Sequence, residues 1–337
     1  MLSDFWRKFN YRIEPWGNDY EPPIQIDDDV SLSESDIDPV VETEEWDCFV
    51  STGPRSLPRH LVFTDGCRRI DAPLVGGDGN TVCYGVFGTI AVGAVVVDRS
   101  VPQADCTQIA VRRVLGFGGE QEAQLTRIPC PLGSKTDLVY EPLKPITGNT
   151  PDVRGLIVQN AMLAQEEELI VQQVDERTDT LVIRDGRLSY NSPHFILGYV
   201  KTMHKSYLSE KYAALLWRLS PGERSPIFLI KEKNRPRFSW YLKSGDCHSS
   251  QLGYQALHGI VRLEISSETP LETVQEIANQ TTHLIPQYAS HPSRDPRAPQ
   301  NLIPVGALEK ELGRQMGDAA LIKRRVQNFL ASFNINS

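Results

Sequence analysis

Two short apolar runs, "HLVFTDG" (60–66) and "DTLVIRDGRL" (179–188), each stop at Asp-Gly, and one long helical pattern lies between them. Runs this short, apolar and ended by a turn signal read as buried strands. The pattern between them, "DVRGLIVQNAMLAQEEELIVQQVDER" (152–177), places Leu156, Leu163, Ile170 and Val174 on one stripe. Ile157, Ala161, Ala164 and Val171 fall on the adjacent stripe. Asp152, just after Pro151, stands where an N-cap belongs. After the first run, "TVCYGVFGTIAVGAVVVDR" (81–99) is rich in β-branched residues and reads as one long strand or two paired ones. The "GGDGN" turn before it makes a hairpin with the first strand. "TQIAVRRVLGF" fits either a strand or a short helix, and "HFILGYVK" follows the second Asp-Gly as a further strand. The order is therefore strand, hairpin strands, long helix, strand.

The last third predicts mixed α and β: a helix over 207–219, strands near 225–231, 236–242 and 259–265, then a helix over 270–282. The Pro-rich "SHPSRDPRAP" leads to helices over 300–314 and 318–331. No apolar run is long enough for a membrane span, and the N-terminus lacks a signal-peptide layout, so the expectation is a soluble cytoplasmic protein without membrane association. The six cysteines are scattered without a CxxC pair, which argues against a zinc site and against disulfides. No Walker motif and no HExxH occurs. The charge of −8 is uneven: residues 1–47 hold 14 Asp/Glu against 3 Lys/Arg. The expected organisation is an acidic, partly disordered N-terminal arm over 1–55 and a folded domain over 56–332. Such an arm also suits competition with nucleic acid for a basic groove.

Asp65 and Asp185 hold matching places. If their strands are neighbours, the two carboxylates emerge side by side, and like charges that close repel unless a divalent cation neutralises them. Carboxylate oxygens suit Mg2+ or Mn2+, and two such ions clamp the attacking and leaving oxygens of a phosphodiester. Asp-Gly after a strand is also an ordinary turn signal. In the glutamate run of the helix, Glu166 is expected to face solvent. Glu167 and Glu168 fall on the two apolar stripes, and Glu168, beside Ala161 and Ala164, is the preferred metal ligand. Residues 199–243 carry ten Lys/Arg against three Glu, interleaved with aromatics, which suits a nucleic-acid surface. Lys201 is the best single candidate to touch the scissile phosphate, with Arg68, Arg69, Arg187 and Lys205 as further strand-binding residues.

In their order, "VFTDGCRR", the helix with "EEEL", "LVIRDGRL" and "ILGYVK" resemble the NurA-type nucleases. The resemblance spans about residues 58–325. It implies an RNase H-like α/β fold, a mixed sheet flanked by helices, and a manganese-dependent nuclease that processes DNA ends in double-strand break repair. It further implies 5′-3′ exonuclease activity with endonuclease activity beside it, a homodimer, and docking on a HerA-type hexameric ATPase. Carried over by position, Asp65, Glu168 (else Glu167) and Asp185 are the metal ligands, and Lys201 falls in a "GxxK"-like segment. The family's late His, from a segment like "YPxxLxxAH", falls here at about Gly306 in "RAPQNLIPVGALE", which cannot ligate. Asp295 is one substitute, His291 and His258 weaker ones. A catalytically degenerate DNA- or partner-binding scaffold of the same fold therefore stays open, as does a sheet-based interaction protein whose Asp-Gly pairs are plain turns.

Overall fold

Glycine and β-branched residues dominate the strand Val82–Asp98, at the centre of a large sheet whose inner strands are covered on both faces. The computed structural model describes residues 2–14, 36–49, 54–77, 81–101, 103–130, 136–176, 179–188, 196–201, 207–232, 235–246, 257–291, 293 and 298–333. The chain begins with α1 (Leu2–Lys8), β1 (Arg12–Ile13) and β2 (Ile37–Asp38). The hairpin strands β3 (His60–Gly77), β4 (Val82–Asp98) and β5 (Gln103–Phe117) come next, then β6 (Thr126–Ile128) and β7 (Leu138–Pro142). Helix α2 (Val153–Glu176) leads to β8 (Thr180–Asp185) and β9 (Ile196–Val200). A short α3 (Glu210–Ala213) runs into a 3-10 turn, Ala214–Arg218, ahead of β10 (Phe228–Ile230), β11 (Arg237–Lys243) and β12 (Ile260–Ser266). The helices α4 (Leu271–Tyr288), α5 (Ile303–Gln315) and α6 (Ala319–Ala331) complete the fold.

The sheet order is β2-β10-β11-β12-β9-β8-β3-β4-β5-β7-β6. At its centre β5, β4 and β3 are antiparallel, while β8 runs parallel to β3 and β9 parallel to β8. A parallel neighbour needs a crossover, and the segment from β5 to β8 that contains α2 supplies it. Side chains alternate between the two faces, and each face builds its own core. Val62, Ile90, Val92 and Val182 pack on α2 through Val158, Met162 and Leu169. Leu61, Phe63, Val95 and Ile183 pack instead on Ala278 and Ile285 of α4 and on Leu308 and Leu312 of α5.

The first strand departs from expectation. It does not stop at Asp65-Gly66 but continues to Gly77, because both residues pair with β4, Asp65 with Gly93 and Gly66 with Val92. The stop belongs to β8 alone: His60–Thr64 run beside Thr180–Arg184, and Gly186 turns the chain with φ +105°. "TQIAVRRVLGF" is strand throughout, as part of β5. The helix expected over 207–219 is one α-turn followed by 3-10 geometry.

Much of the acidic segment is built into the body. Trp6 is buried, stacked on Phe87 with ring centroids 5.6 Å apart and met by Phe329 and Phe333. Strand β2 covers the edge of β10, and Glu42 takes both terminal nitrogens of buried Arg224 at 2.9 and 2.8 Å. Glu14, Asp38 and Asp47 pair with Arg154, Lys231 and Arg218. These carboxylates neutralise arginine and lysine of the body; residues 15–35 lie outside the described residues. No described helix is long and apolar enough to cross a membrane.

Candidate metal centre

Alternation along β3 and β8 decides where the acidic residues point. Thr64, Gly66 and Arg184 belong to the α2 face; a Cβ on Gly66 would stand 3.0 Å from Met162. Asp65 and Asp185, one residue along on adjacent strands, face the side of α4 and α5. There they meet Glu309 of α5. One carboxylate oxygen from each of Asp65, Asp185 and Glu309 lies within 4.8 Å of the others. Asp65 is 9 % exposed, Asp185 is half-buried and Glu309 opens to solvent, so the cluster is a rim site with a buried floor.

Electrostatics tighten this picture. Burial, and then the charges of Asp185, Glu166 and Glu309, push the Asp65 carboxyl well above the ordinary carboxylate range, with Lys201 pulling the other way. The Lys201 ammonium sits 2.7 Å from Asp185 Oδ2. It stands against a member of the cluster in the position a metal ion would contest. Cys67, on the same face two residues after Asp65, is pushed up to about 12 by burial and then by Asp65, Glu309, Asp185 and Glu166. A thiol so hard to ionise is a poor nucleophile.

The helix glutamates are arranged otherwise than their stripes predict. Glu168 is exposed and Glu167 half-buried, whereas Glu166, expected at the solvent, is 2 % exposed. The buried stripe of α2 runs Val158, Met162, Glu166, Leu169 and Gln173, rotated from the stripes chosen by apolar count. Glu166 Oε2 accepts from Arg184 Nη2 at 2.8 Å, a pair closed to solvent on the α2 face. Its charge is felt by Asp65, yet it does not belong to the carboxylate cluster. Burial raises its carboxyl, and Arg184 offsets part of that. Sequence placement thus brought Asp65 and Asp185 together but left Glu168 outside, because periodicity alone does not say which stripe meets the sheet.

The expected strand-binding residues are largely tied up by the protein itself. Arg68 Nε donates to Gln159 at 2.7 Å. Arg69 binds Asp71 and donates to the carbonyls of Met316 and Gly317 at 3.2 and 2.8 Å. Those carbonyls lie at the C-terminal end of α5, where a cation is favoured, so Arg69 anchors the helix that carries Glu309. Arg187 stands 3.7 Å from Glu232. Trp240, Tyr241, Phe228 and Tyr199 of the basic, aromatic stretch are core residues, and Trp217 is exposed. Lys205 and Asp295 lie outside the described residues.

Glu309 is the residue sequence reasoning missed. It follows Leu308 on the core stripe of α5 and sits one turn beyond Gly306, the point to which the resemblance assigned a His. A Cβ on Gly306 would meet nothing within 4 Å. The usable signal was a carboxylate one helical turn on from the expected ligand position.

Three carboxylate oxygens with no soft or nitrogen donor among them form a hard donor set that fits Mg2+ or Mn2+ and does not favour zinc. Lys201 beside Asp185 offsets part of their mutual repulsion, which is one of the causes that raise the Asp65 carboxyl. No protein-family model matches the chain. No curated protein matches it either. Among solved structures, it is similar to the crystal structure of the NurA nuclease from Sulfolobus solfataricus, at 10% identity and a TM-score of 0.45, over 85% of this chain and 86% of that one.

Proposed function

We propose that this chain is a divalent-metal-dependent nuclease that hydrolyses phosphodiester bonds at DNA ends. The observation that carries the reading is the convergence of Asp65, Asp185 and Glu309 from two adjacent parallel strands and a helix packed over them. The central strand order β5-β4-β3-β8-β9, with β4 antiparallel and β8 parallel to β3, supports an RNase H-like core. The order of motifs supports the NurA-type assignment, and with it manganese as the ion, 5′-3′ exonuclease action with endonuclease activity, break repair, a homodimer and a HerA-type ATPase partner in the cytoplasm.

Asp65, Asp185 and Glu309 would hold the ion, which supplies Lewis-acid stabilisation of phosphoryl oxygens and lowers the pKa of a water. The buried floor at Asp65 limits solvent access and keeps the carboxylates fixed on strand backbone. Glu309, on the exposed side, leaves room for a substrate phosphate. Lys201 is placed to exchange Asp185 for a phosphate oxygen once the carboxylate is otherwise neutralised.

The test is cleavage of 5′-labelled single- and double-stranded DNA by the purified chain with Mn2+ or with EDTA. Mn2+-dependent cleavage is expected, and Glu309→Gln should slow it on the order of a hundredfold, about 3 kcal/mol of transition-state stabilisation. DNA binding without cleavage under every metal condition would instead favour the scaffold reading. Lys201→Met should act with opposite signs on two readouts. Calorimetric Mn2+ affinity should rise about tenfold as the competing ammonium is removed, while cleavage falls about tenfold or more. A fall in both affinity and rate would show that Lys201 supports the cluster instead of competing for it.

A further inference from the structure

We propose that Gly93 is a positioning residue of the acidic cluster: the space left by its missing side chain sets how closely α5 approaches β3, and so brings Glu309 to Asp65. This inference rests on the metal-site reading of Asp65, Asp185 and Glu309.

Gly93 is the direct partner of Asp65 across the β3–β4 ladder. It therefore lies at the level of the cluster, and on the same face, the one covered by α5. A Cβ built on it would stand 3.0 Å from Leu308 Cδ1, 3.2 Å from Ile109 Cγ1 and 3.2 Å from Leu312 Cδ2. Leu308 immediately precedes Glu309, and Leu312 lies one turn on, so the two side chains that fill the missing volume seat the helix segment bearing the ligand.

Backbone conformation does not explain the glycine. Its φ lies outside the left-handed region, which other residues avoid. Space does explain it, and the neighbouring strand is shaped to the same end. The β4–β5 pairing slips at this point, Val92 facing Ala110 and Ala94 facing Thr107, so that Gln108 and Ile109 together oppose Gly93. Such a bulge bends its strand and re-aims side chains. Here it turns Ile109 in against the same point, with Gln108 taking the left-handed φ of 52°. The helix is thus gripped at Gly93 and, at its C-terminal end, by Arg69 and Arg113 on the Met316 carbonyl. Between those two holds, the height of Glu309 above the sheet follows from the size of residue 93.

Gly93→Ala, with its 3.0–3.2 Å contacts, should lift α5 by a few tenths of an ångström. Mn2+ affinity, measured by calorimetry and by the EPR signal of free Mn2+, should weaken about fivefold, less than the roughly tenfold or more that loss of an outer-shell partner costs, because Glu309 is displaced and not removed. Melting in EDTA should stay cooperative. Gly93→Ala combined with Leu308→Val, which shortens the side chain nearest the new methyl, should recover affinity to within about twofold of the unaltered chain. A merely structural effect would leave the double variant as weak as the single one, or weaker, since it removes further core volume. The inference is overturned alone if the unaltered chain binds Mn2+ and Gly93→Ala binds it equally well, or if the double variant does not recover. An unaltered chain that binds no Mn2+ would overturn the metal-site reading and this inference with it.

Discussion

Asp65→Asn should lower Mn2+-dependent cleavage on the order of a thousandfold, about 4 kcal/mol of transition-state stabilisation, while the metal-free protein melts no lower than the unaltered chain. Both halves follow from one environment. Asp65 is nearly closed to solvent, with Asp185 and Glu309 as close neighbours and the Glu166 charge within reach. Asparagine keeps the shape and the oxygen that accepts the Gly66 N–H at 2.8 Å, but removes a charge that burial and repulsion oppose. The sign with pH is fixed by the upward shift of Asp65. The folded state holds that proton to higher pH than the unfolded chain, so the contribution is complete below the ordinary value of 3.8 and is lost as pH rises through the raised folded value. The asparagine variant lacks that loss, and its advantage in EDTA should grow with pH across the window. Metal reverses the preference, because the ligand must be deprotonated; Mn2+ affinity of the unaltered chain should rise over the same window. Melting in EDTA and in Mn2+ at several pH values checks this. Retained cleavage, or a variant that melts lower throughout, would contradict the assignment. Asp185→Asn should lose cleavage similarly but gain less stability, since it strips Lys201 of its partner.

The two Asp-Gly strands were legible because their physics is local. A short apolar run with a carboxylate at its end states both where it is buried and where it stops being so. Even there the first Asp-Gly misled: the sequence signal of a turn sits inside β3, since ladder pairing with β4 satisfies the same backbone groups that a turn would. The helix α2 was legible as a helix and not as an orientation. Its apolar residues are spread over more than half its circumference, and the buried stripe is settled by Glu166 meeting Arg184, a tertiary pair. Glu309 was hardest to see. Nothing in "GALEKELG" separates a ligand from an ordinary exposed glutamate, and its place depends on Leu308 and Leu312 seating α5 against β4. The acidic arm shows the same limit. Charge density predicted solvation for a segment whose Glu42 is bound by buried Arg224 and whose Trp6 fills a core.

Glu264→Gln should cost about 3–5 kcal/mol at pH 7, the range for breaking a buried ion pair by removing one partner. Glu264 is fully buried under β9. One of its oxygens accepts from Arg237 Nε at 2.9 Å and Arg262 Nη1 at 2.5 Å, and the other from the Leu188 N–H at 2.8 Å. A neighbouring carboxylate, Glu232, is already shared by Arg235, Arg237 and Arg187. Removing the Glu264 charge therefore takes from buried Arg237 and Arg262 the carboxylate they share. Burial alone would push the Glu264 carboxyl up; Arg262, Arg237 and the Leu188 N–H overcome it and hold it at about 2. A folded value below the ordinary 4.5 contributes stability that is present above 4.5 and lost as pH falls toward 2. Urea unfolding should show the unaltered chain weakening over that acid range and the glutamine variant, already weaker, losing less. The consequence reaches the candidate centre. The Leu188 N–H bond fixes the chain just past Asp185-Gly186, and Gly198 lets Glu264 lie so close that a Cβ there would stand 2.8 Å from its Cγ. With that anchor weakened, Asp185 loses its fixed height at the end of β8, and Mn2+ affinity should fall along with stability. A glutamine variant as stable as the unaltered chain at pH 7 would mean that the arginines find other partners, and that the turn holding Asp185 does not depend on this carboxylate.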